Sequence, residues 1–210
     1  VAQAGRSGKY DLGPQALTLG LSALARHDFV NRAADALPDL CAETGMTVLL
    51  AVWGTKGATI VRWERAAAPL VTSMGLGTGL PLLTSATGRV FLAWAPPAVV
   101  AALRAEELDR AAQAPALAVD FEPTEAGLAA LADAVLAQGH AAVDGRFIPG
   151  LVAAAAPILD WQDQAQAAVT LVGTDRAAVA PEAREVAALR RFCAALSVPA
   201  RRCTAAKEKG

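Results

Sequence analysis

Apolar residues recur along this chain with two different periods. At a spacing of three and four, Leu17, Leu21 and Leu24 line one face of a helix over residues 15–26. Val30, Ala33, Ala34, Leu37, Leu40 and Cys41 line one face of a second helix, which starts at Asp28, a suitable N-cap, and stops at Gly45. Pro38 lies inside that pattern and predicts a kink or a split, because it has no N–H for the helix ladder. Residues 46–53 are apolar on both faces, which predicts a strand in the middle of a sheet. The turn Gly54-Thr55-Lys56-Gly57 joins it to a second strand over 58–64, and residues 70–73 predict a short third strand.

Gly75, Gly77 and Gly79 then predict a mobile turn over the sheet, closed by Pro81. A helix over 85–95 follows, and Pro96-Pro97 opens another that runs to about residue 107. Residues 109–121 are Ala-rich and read as irregular. Pro123 or Thr124 starts a helix with Glu125 in its first turn and Leu128, Leu131 and Val135 on its core face; Gly139 stops it. A short strand follows Gly139, and strands over 150–158 and 165–172 are joined by the polar turn Asp160-Trp161-Gln162-Asp163-Gln164. Pro181 begins the last helix, with Val186, Leu189, Cys193 and Leu196 on one stripe, and Pro199 ends it. Antiparallel strand pairs alternating with helices predict an α+β domain with one central, curved antiparallel sheet flanked by helices, not a doubly wound parallel one.

Composition narrows the chemistry. Hydrophobic residues make up 54% of the 210 but aromatic residues only 5%, so the core is built from Ala, Val and Leu. The longest apolar runs, 46–53 and 151–159, fall short of the roughly 18–20 residues that a membrane span needs. No secretory signal is visible, and a start at Val1 suits a fragment or a processed product. A net charge of −1 gives no general attraction to nucleic acid. Cys41, Cys193 and Cys203 are odd in number and widely spaced, and His27 and His140 lie at no ligand spacing from them. That pattern suits buried thiols in a reducing cytoplasm, with no metal and no cofactor.

Candidate catalytic groups are sparse, and no catalytic residue is assigned. Gly75-Leu76-Gly77-Thr78-Gly79 lacks the spacing and the following helix of a phosphate loop. Ser85, His140 and Asp144 would make a triad only if the fold joined them, and Ser85 is in no nucleophile elbow. Glu106, Glu107, Asp109, Glu122 and Glu125 read as solvated helix ends. Trp53 and Trp63 flank one hairpin and suit core or pocket wall equally. A smooth apolar sheet with so few nucleophiles and bases is suited to binding.

Four segments together carry a resemblance. Tyr10-Asp11-Leu12-Gly13-Pro14 with Leu19-Gly20 is similar to a Y-x-L-G…L-G signature, and residues 80–93 to L-P-L-x-x-[TS]-A-x-G-[KR]-x-x-L-A. Gly139-His140-Ala141 matches G-[YH]-A, and Ala155-Ala156-Pro157-Ile158 matches A-A-P-[IV]. In this order they resemble the effector-binding domain of the IclR family of bacterial transcription regulators. The resemblance implies a GAF-like or profilin-like domain over 14–199, with residues 1–13 the remnant of a winged-helix wing and linker and 200–210 a flexible tail. It implies a homodimer or dimer of dimers, a small-molecule effector, no membrane, and DNA contact only through an N-terminal winged helix-turn-helix missing from this chain.

Carried over by position, the resemblance places Thr72, Ala86, Thr87, Val143, Asp144, Ala153, Thr170 and Val172 around a ligand. Acid-binding members carry polar groups where this chain has Val143, Ala153 and Val172, and glutamates where it has Asp144-Gly145-Arg146. The donors left are Thr72, Thr87, Thr170 and the N–H groups near Ala86, which suit one anionic head group on an apolar body. The expectation is therefore a concave, mostly apolar cup, roofed by residues 75–95, that takes a small hydrophobic or aromatic acid. Helix 15–26 would relay binding to the DNA-binding domain. The alternatives are a GAF-like sensory module of another signalling protein, or a small hydrolase or isomerase.

Overall fold

The computed structural model of the chain describes residues 2–3, 10–11, 15, 18–19, 28–68, 70 and 74–198. The chain divides into two units, residues 1–36 and 37–210. In the first, β1 (Ala2–Gln3) and β2 (Tyr10–Asp11) form a two-residue antiparallel ladder, and Gln15, Thr18 and Leu19 are helical. The rest of predicted helix 15–26, Pro199 and the tail lie outside the described residues. Helix α1 (Asp28–Thr44) runs through Pro38 as one element and ends at Gly45, whose N–H donates to the Cys41 carbonyl at 2.8 Å.

The second unit is built on a curled six-stranded antiparallel sheet in the order β5-β4-β3-β8-β7-β6. Its strands are β3 (Thr47–Gly54), β4 (Gly57–Glu64), β5 (Gly79–Leu80), β6 (Ala141–Asp144), β7 (Val152–Leu159) and β8 (Ala165–Gly173). The first hairpin and the last meet at the centre, where β3 pairs with β8. The apolar-on-both-faces pattern of β3 matches its burial: Val48 and Leu50 on one face and Leu49 and Ala51 on the other are all closed off from solvent. Register shifts at Leu50/Ala51 and Ile158/Leu159 bend the ladders. Pro157, which has no N–H to give, sits where β7 pairs with β8 alone, because the β6 ladder ends at the pair Ala141–Ala155.

Side-chain alternation sets the two faces. One continuous row runs Trp63–Leu49–Thr170–Ala155–Ala141 across five strands, and the next includes Thr47, Val172, Ala153 and Val143. These rows face α2 (Ala86–Trp94), which packs across β4, β6, β7 and β8 and is backed by α3 (Pro97–Gln113) and α4 (Glu125–Gln138). The core between them joins Leu49, Ile60, Phe91, Val100, Leu128 and Val172. Each such side chain contributes about 1.5–3 kcal/mol of burial. Helix α5 (Arg184–Leu196) covers the opposite face with buried Val186, Leu189 and Cys193, and its Arg191 reaches Glu43 of α1 at 2.8 Å.

Local chemistry sets the helix ends. Thr124 caps α4 by accepting from Gly127 N at 3.0 Å, and Gly139 ends it at φ +71°, a conformation that favours glycine. Ser85 caps α2, accepting from Gly88 N at 2.9 Å while its hydroxyl donates to the Pro81 carbonyl at 2.6 Å. Gly88 is required here: a Cβ would lie 2.0 Å from the Pro81 oxygen.

Several expectations are corrected. Helix α3 continues to Gln113, because Ala111 and Ala112 favour helix and Arg110 closes an i,i+4 pair with Glu106 at 2.6 Å. It stops at Ala114, before Pro115, and Pro115–Leu117 is a 3-10 turn. The last helix begins at Arg184, not Pro181, after a turn closed by Ala183 N donating to the Ala180 carbonyl. Leu70 is in no strand, and residues 71–73 lie outside the described residues. The glycine segment is not a free turn. Gly77 N donates to the Ile60 carbonyl, Ile60 N donates to that of Thr78, and Gly79–Leu80 pairs with β4 as an edge strand.

Candidate functional site

Six of the eight predicted ligand-facing residues meet at one cavity between the sheet and the start of α2: Ala86, Thr87, Val143, Ala153, Thr170 and Val172. Thr72 lies outside the described residues. Asp144 points elsewhere. It follows Val143 on β6, so alternation turns it to the other face, where its carboxylate accepts from the exposed Arg176 Nε at 2.9 Å.

Further walls come from Leu49, Met74, Leu80, Phe147, Ile148 and Leu151. None of these was picked out from the sequence. Leu49 and Leu80 read simply as core, and Phe147 and Ile148 belong to the loop 145–150, whose path no local pattern sets. That loop is closed by Gly145 N donating to the Leu151 carbonyl at 2.8 Å.

The polar content of the cavity is small. The Thr87 and Thr170 hydroxyls are buried and hydrogen-bonded to each other at 2.7 Å, and the Ser85 hydroxyl is committed to its cap. At the start of α2 the Ala86 and Thr87 N–H groups precede the first intrahelical bonds. The free space is about 40 Å³, room for a few waters and well below the ~300 Å³ of a preformed ligand pocket. The hollow is thus tighter than expected, and a larger occupant has to move α2 or the Phe147 loop.

A buried ionic scaffold holds the segment leading into α2. Glu107 reads from sequence as a solvated helix residue, yet it is buried, and its two carboxylate oxygens accept from Leu82 N at 2.8 Å and Leu83 N at 2.9 Å. Arg89, 4% exposed, donates through Nε to the Leu83 carbonyl and through both Nη atoms to Asp120, at 2.8 and 2.9 Å. Arg146 of the cavity loop approaches the same carboxylate at 3.8 Å. Burial by itself would raise the Asp120 pKa; the hydrogen bonds and charge of Arg89, with Arg146, outweigh it and hold the carboxyl below its ordinary range. The available signal was a cation, Arg89, set among Val90, Phe91 and Leu92 on a helix.

Ser85, His140 and Asp144 do not assemble into a triad, in line with the sequence reading that assigned no catalytic residue. Ser85 is engaged as a cap, Asp144 pairs with Arg176, and His140 is buried with Nδ1 3.2 Å from the Gln138 carbonyl. Desolvation, aided by the charge of Arg190, lowers the His140 pKa against the opposing pull of that carbonyl. Among the described residues no group of three or more His, Cys, Asp or Glu could hold a metal ion. Nor is any helix there long and apolar enough to cross a membrane.

Residues 21–198 match the family model described as bacterial transcriptional regulator IclR C-terminal. The chain belongs to this family. Membership places it among transcriptional regulators, not enzymes. The IclR-family chain is 32% identical over 173 residues to the glycerol operon regulatory protein of Streptomyces coelicolor. That match covers 82% of the chain, which spans 65% of the length of this relative. Among solved structures it is similar to HmgR of Pseudomonas aeruginosa, at 34% identity and a TM-score of 0.70, covering 93% of this chain and 76% of that one. A putative IclR regulator from Silicibacter shares the fold at a TM-score of 0.76 with 22% identity, over 93% and 76% of the two chains.

Proposed function

We propose that this chain is the ligand-sensing and oligomerising part of a transcription regulator, and that the cavity beneath α2 takes a small organic acid with a hydrophobic or aromatic body. One observation carries this: the cavity is walled by aliphatic and aromatic side chains, with a pair of threonine hydroxyls beside a helix N-terminus as its polar spot. A carboxylate placed there would receive two hydroxyl donors in exchange for their bond to each other, and would meet the positive end of α2. The aliphatic Val143, Ala153 and Val172 offer nothing to a second charge, which disfavours short polar acids.

The tightness of the cavity supports a sensing role. A ligand that fits only after α2 and the loop 145–150 give way shifts the population toward that wider arrangement. In the full-length regulator, residues 15–26, which the sequence predicts to be helical, would pass the change to a winged helix-turn-helix and so alter DNA binding, in a homodimer or dimer of dimers. Isothermal titration of the chain with phenylacetate, cinnamate and hexanoate, against glyoxylate and pyruvate, tests the ligand class. The first group is expected to bind and the second not; binding of only the short polar acids would reverse the conclusion about polarity. T87V and T170V should each weaken the tightest of these acids about tenfold, the equivalent of one hydrogen bond of ~1.4 kcal/mol.

A further inference from the structure

We infer that the loop 145–150 is the lid of this cavity, and that its displacement joins the cavity to a cleft on its other side, so that the ligand is an elongated acid with a second apolar group beyond the first. The inference rests on the proposed ligand site; it adds which part moves and how long the guest is. The cleft holds about 220 Å³, against about 40 Å³ in the cavity. Its walls include Pro81, Leu83, Ala111, Leu117 and Phe121, with the partly exposed Arg110 and Arg146. Phe147 borders both spaces.

Two stretches of chain form the partition. Residues 80–86 place Leu80, Ser85 and Ala86 on the cavity, and Pro81, Leu83 and Thr84 on the cleft. The loop likewise places Ile148 on the cavity and Arg146 on the cleft. The first stretch is pinned. Its Leu82 and Leu83 N–H groups donate to the buried Glu107 carboxylate, the Leu83 carbonyl accepts from Arg89, and Ser85 ties Pro81 to Gly88. Charge-assisted bonds closed off from water are hard to break.

The loop is held more weakly. Among the described residues it is tied by two backbone bonds, Gly145 N to the Leu151 carbonyl at 2.8 Å and Leu151 N to that of Ile148 at 3.1 Å. Arg146 stands 3.8 Å from Asp120, beyond hydrogen-bond range, and Asp120 keeps both Arg89 bonds when Arg146 leaves. Gly145 at φ +64° and Gly150 at φ +82° bracket the loop, and glycine takes either sign of φ with similar ease, so both ends can turn. The loop therefore supplies most of the movement that a guest requires. Once Phe147 withdraws, the two spaces together approach the ~300 Å³ of a ligand pocket. An acid held at Thr87 and Thr170 can then extend its body into the cleft, where Leu117 and Phe121 suit a second ring.

The test is calorimetric titration of phenylacetate and 4-biphenylacetate into the unaltered chain, F147A and L117W. F147A removes the ring that has to be displaced, so both acids should bind about fivefold more tightly or better. Were Phe147 a fixed wall, both would lose contacts and weaken, and that result would overturn the lid. L117W fills the cleft from a half-buried position, and should weaken 4-biphenylacetate about fivefold while leaving phenylacetate within about twofold. Equal effects on the two acids, or binding of phenylacetate alone, would overturn the elongated ligand and leave the cavity as the site. Binding of neither acid to the unaltered chain or to F147A would overturn the ligand site and the lid together. If F147A does not fold, amide exchange of the unaltered chain decides. With 4-biphenylacetate bound, the Gly145 and Leu151 amides should exchange about tenfold faster, while those of Arg89 and Ala95 in and at the end of α2 stay protected. Faster exchange in α2 with the loop unchanged would refute the inference.

Discussion

Replacing Glu107 tests whether the segment that enters α2 is held from behind. In E107A the N–H groups of Leu82 and Leu83 lose carboxylate acceptors at 2.8 and 2.9 Å, and both residues are within 1% of complete burial. Hydrogen bonds to a charged acceptor contribute about 1.5–3 kcal/mol each, so two together are worth roughly 3–6 kcal/mol. Glu107 also borders a cleft with Pro81, Leu83 and Thr84, through which water can reach part of the space left by truncation, so the lower end applies. A loss of about 3 kcal/mol corresponds to a fall in Tm of roughly 6–12 °C for a chain of this size. E107Q keeps one acceptor but turns an NH₂ toward the other N–H, and should lose about half as much. E106A, which removes an exposed i,i+4 partner of Arg110, is the control and should change Tm by no more than ~2 °C. Thermal melts followed by circular dichroism measure all three. An E107A protein that melts within 2 °C of the unaltered chain would show that the two bonds do not hold the segment, and the account of how α2 is positioned would be wrong.

Three other positions carry expected outcomes. G88A puts a methyl 2.0 Å from the Pro81 oxygen and 2.5 Å from that of Leu82, both backbone atoms, so α2 must shift; a loss of about 1–3 kcal/mol in urea unfolding is expected, and a neutral result would mean the contact is not kept. D120N leaves the buried Arg89 without its carboxylate and should lower stability at pH 7 by roughly 1–3 kcal/mol. Because the folded Asp120 pKa is depressed, its contribution is present above the unfolded value of ~3.9 and is lost as pH falls below it. Urea titrations from pH 6 to 3 should therefore show a shallower acid loss for D120N, and parallel curves would contradict the assigned cause. Cys193 is fully buried, and desolvation pushes its thiol far above the ordinary range, so it should resist alkylation at pH 8 until denaturant is added.

How much was legible in advance differs between elements. Thr124 and Gly139 predicted both ends of α4, and Ser85 and the turn after residue 54 predicted the α2 start and the first hairpin, since caps and turns are set by a few adjacent residues. Order and spacing of four short motifs were enough for the family, and one residue of the second motif, Gly88, has no room for a side chain against Pro81. Periodicity also marked β3 as central, its eight residues needing cover on both faces.

Other features depended on parts of the chain meeting. Glu107 lies 25 residues from Leu82 and Asp120 lies 31 from Arg89, so their sequence neighbours present them as ordinary surface charges. The family's motif placed Asp144 at the ligand, but the strand's two-residue alternation, once Val143 faces inward, turns it to solvent. Alone, the amino-acid order determined most of the helices, the four long strands and several caps, along with the family. Only the tertiary structure decided which faces close over the cavity, how little room they leave, and which charges are buried. Helices and turns form from contacts a few residues long, whereas a cavity wall is assembled from residues that only strand pairing brings together.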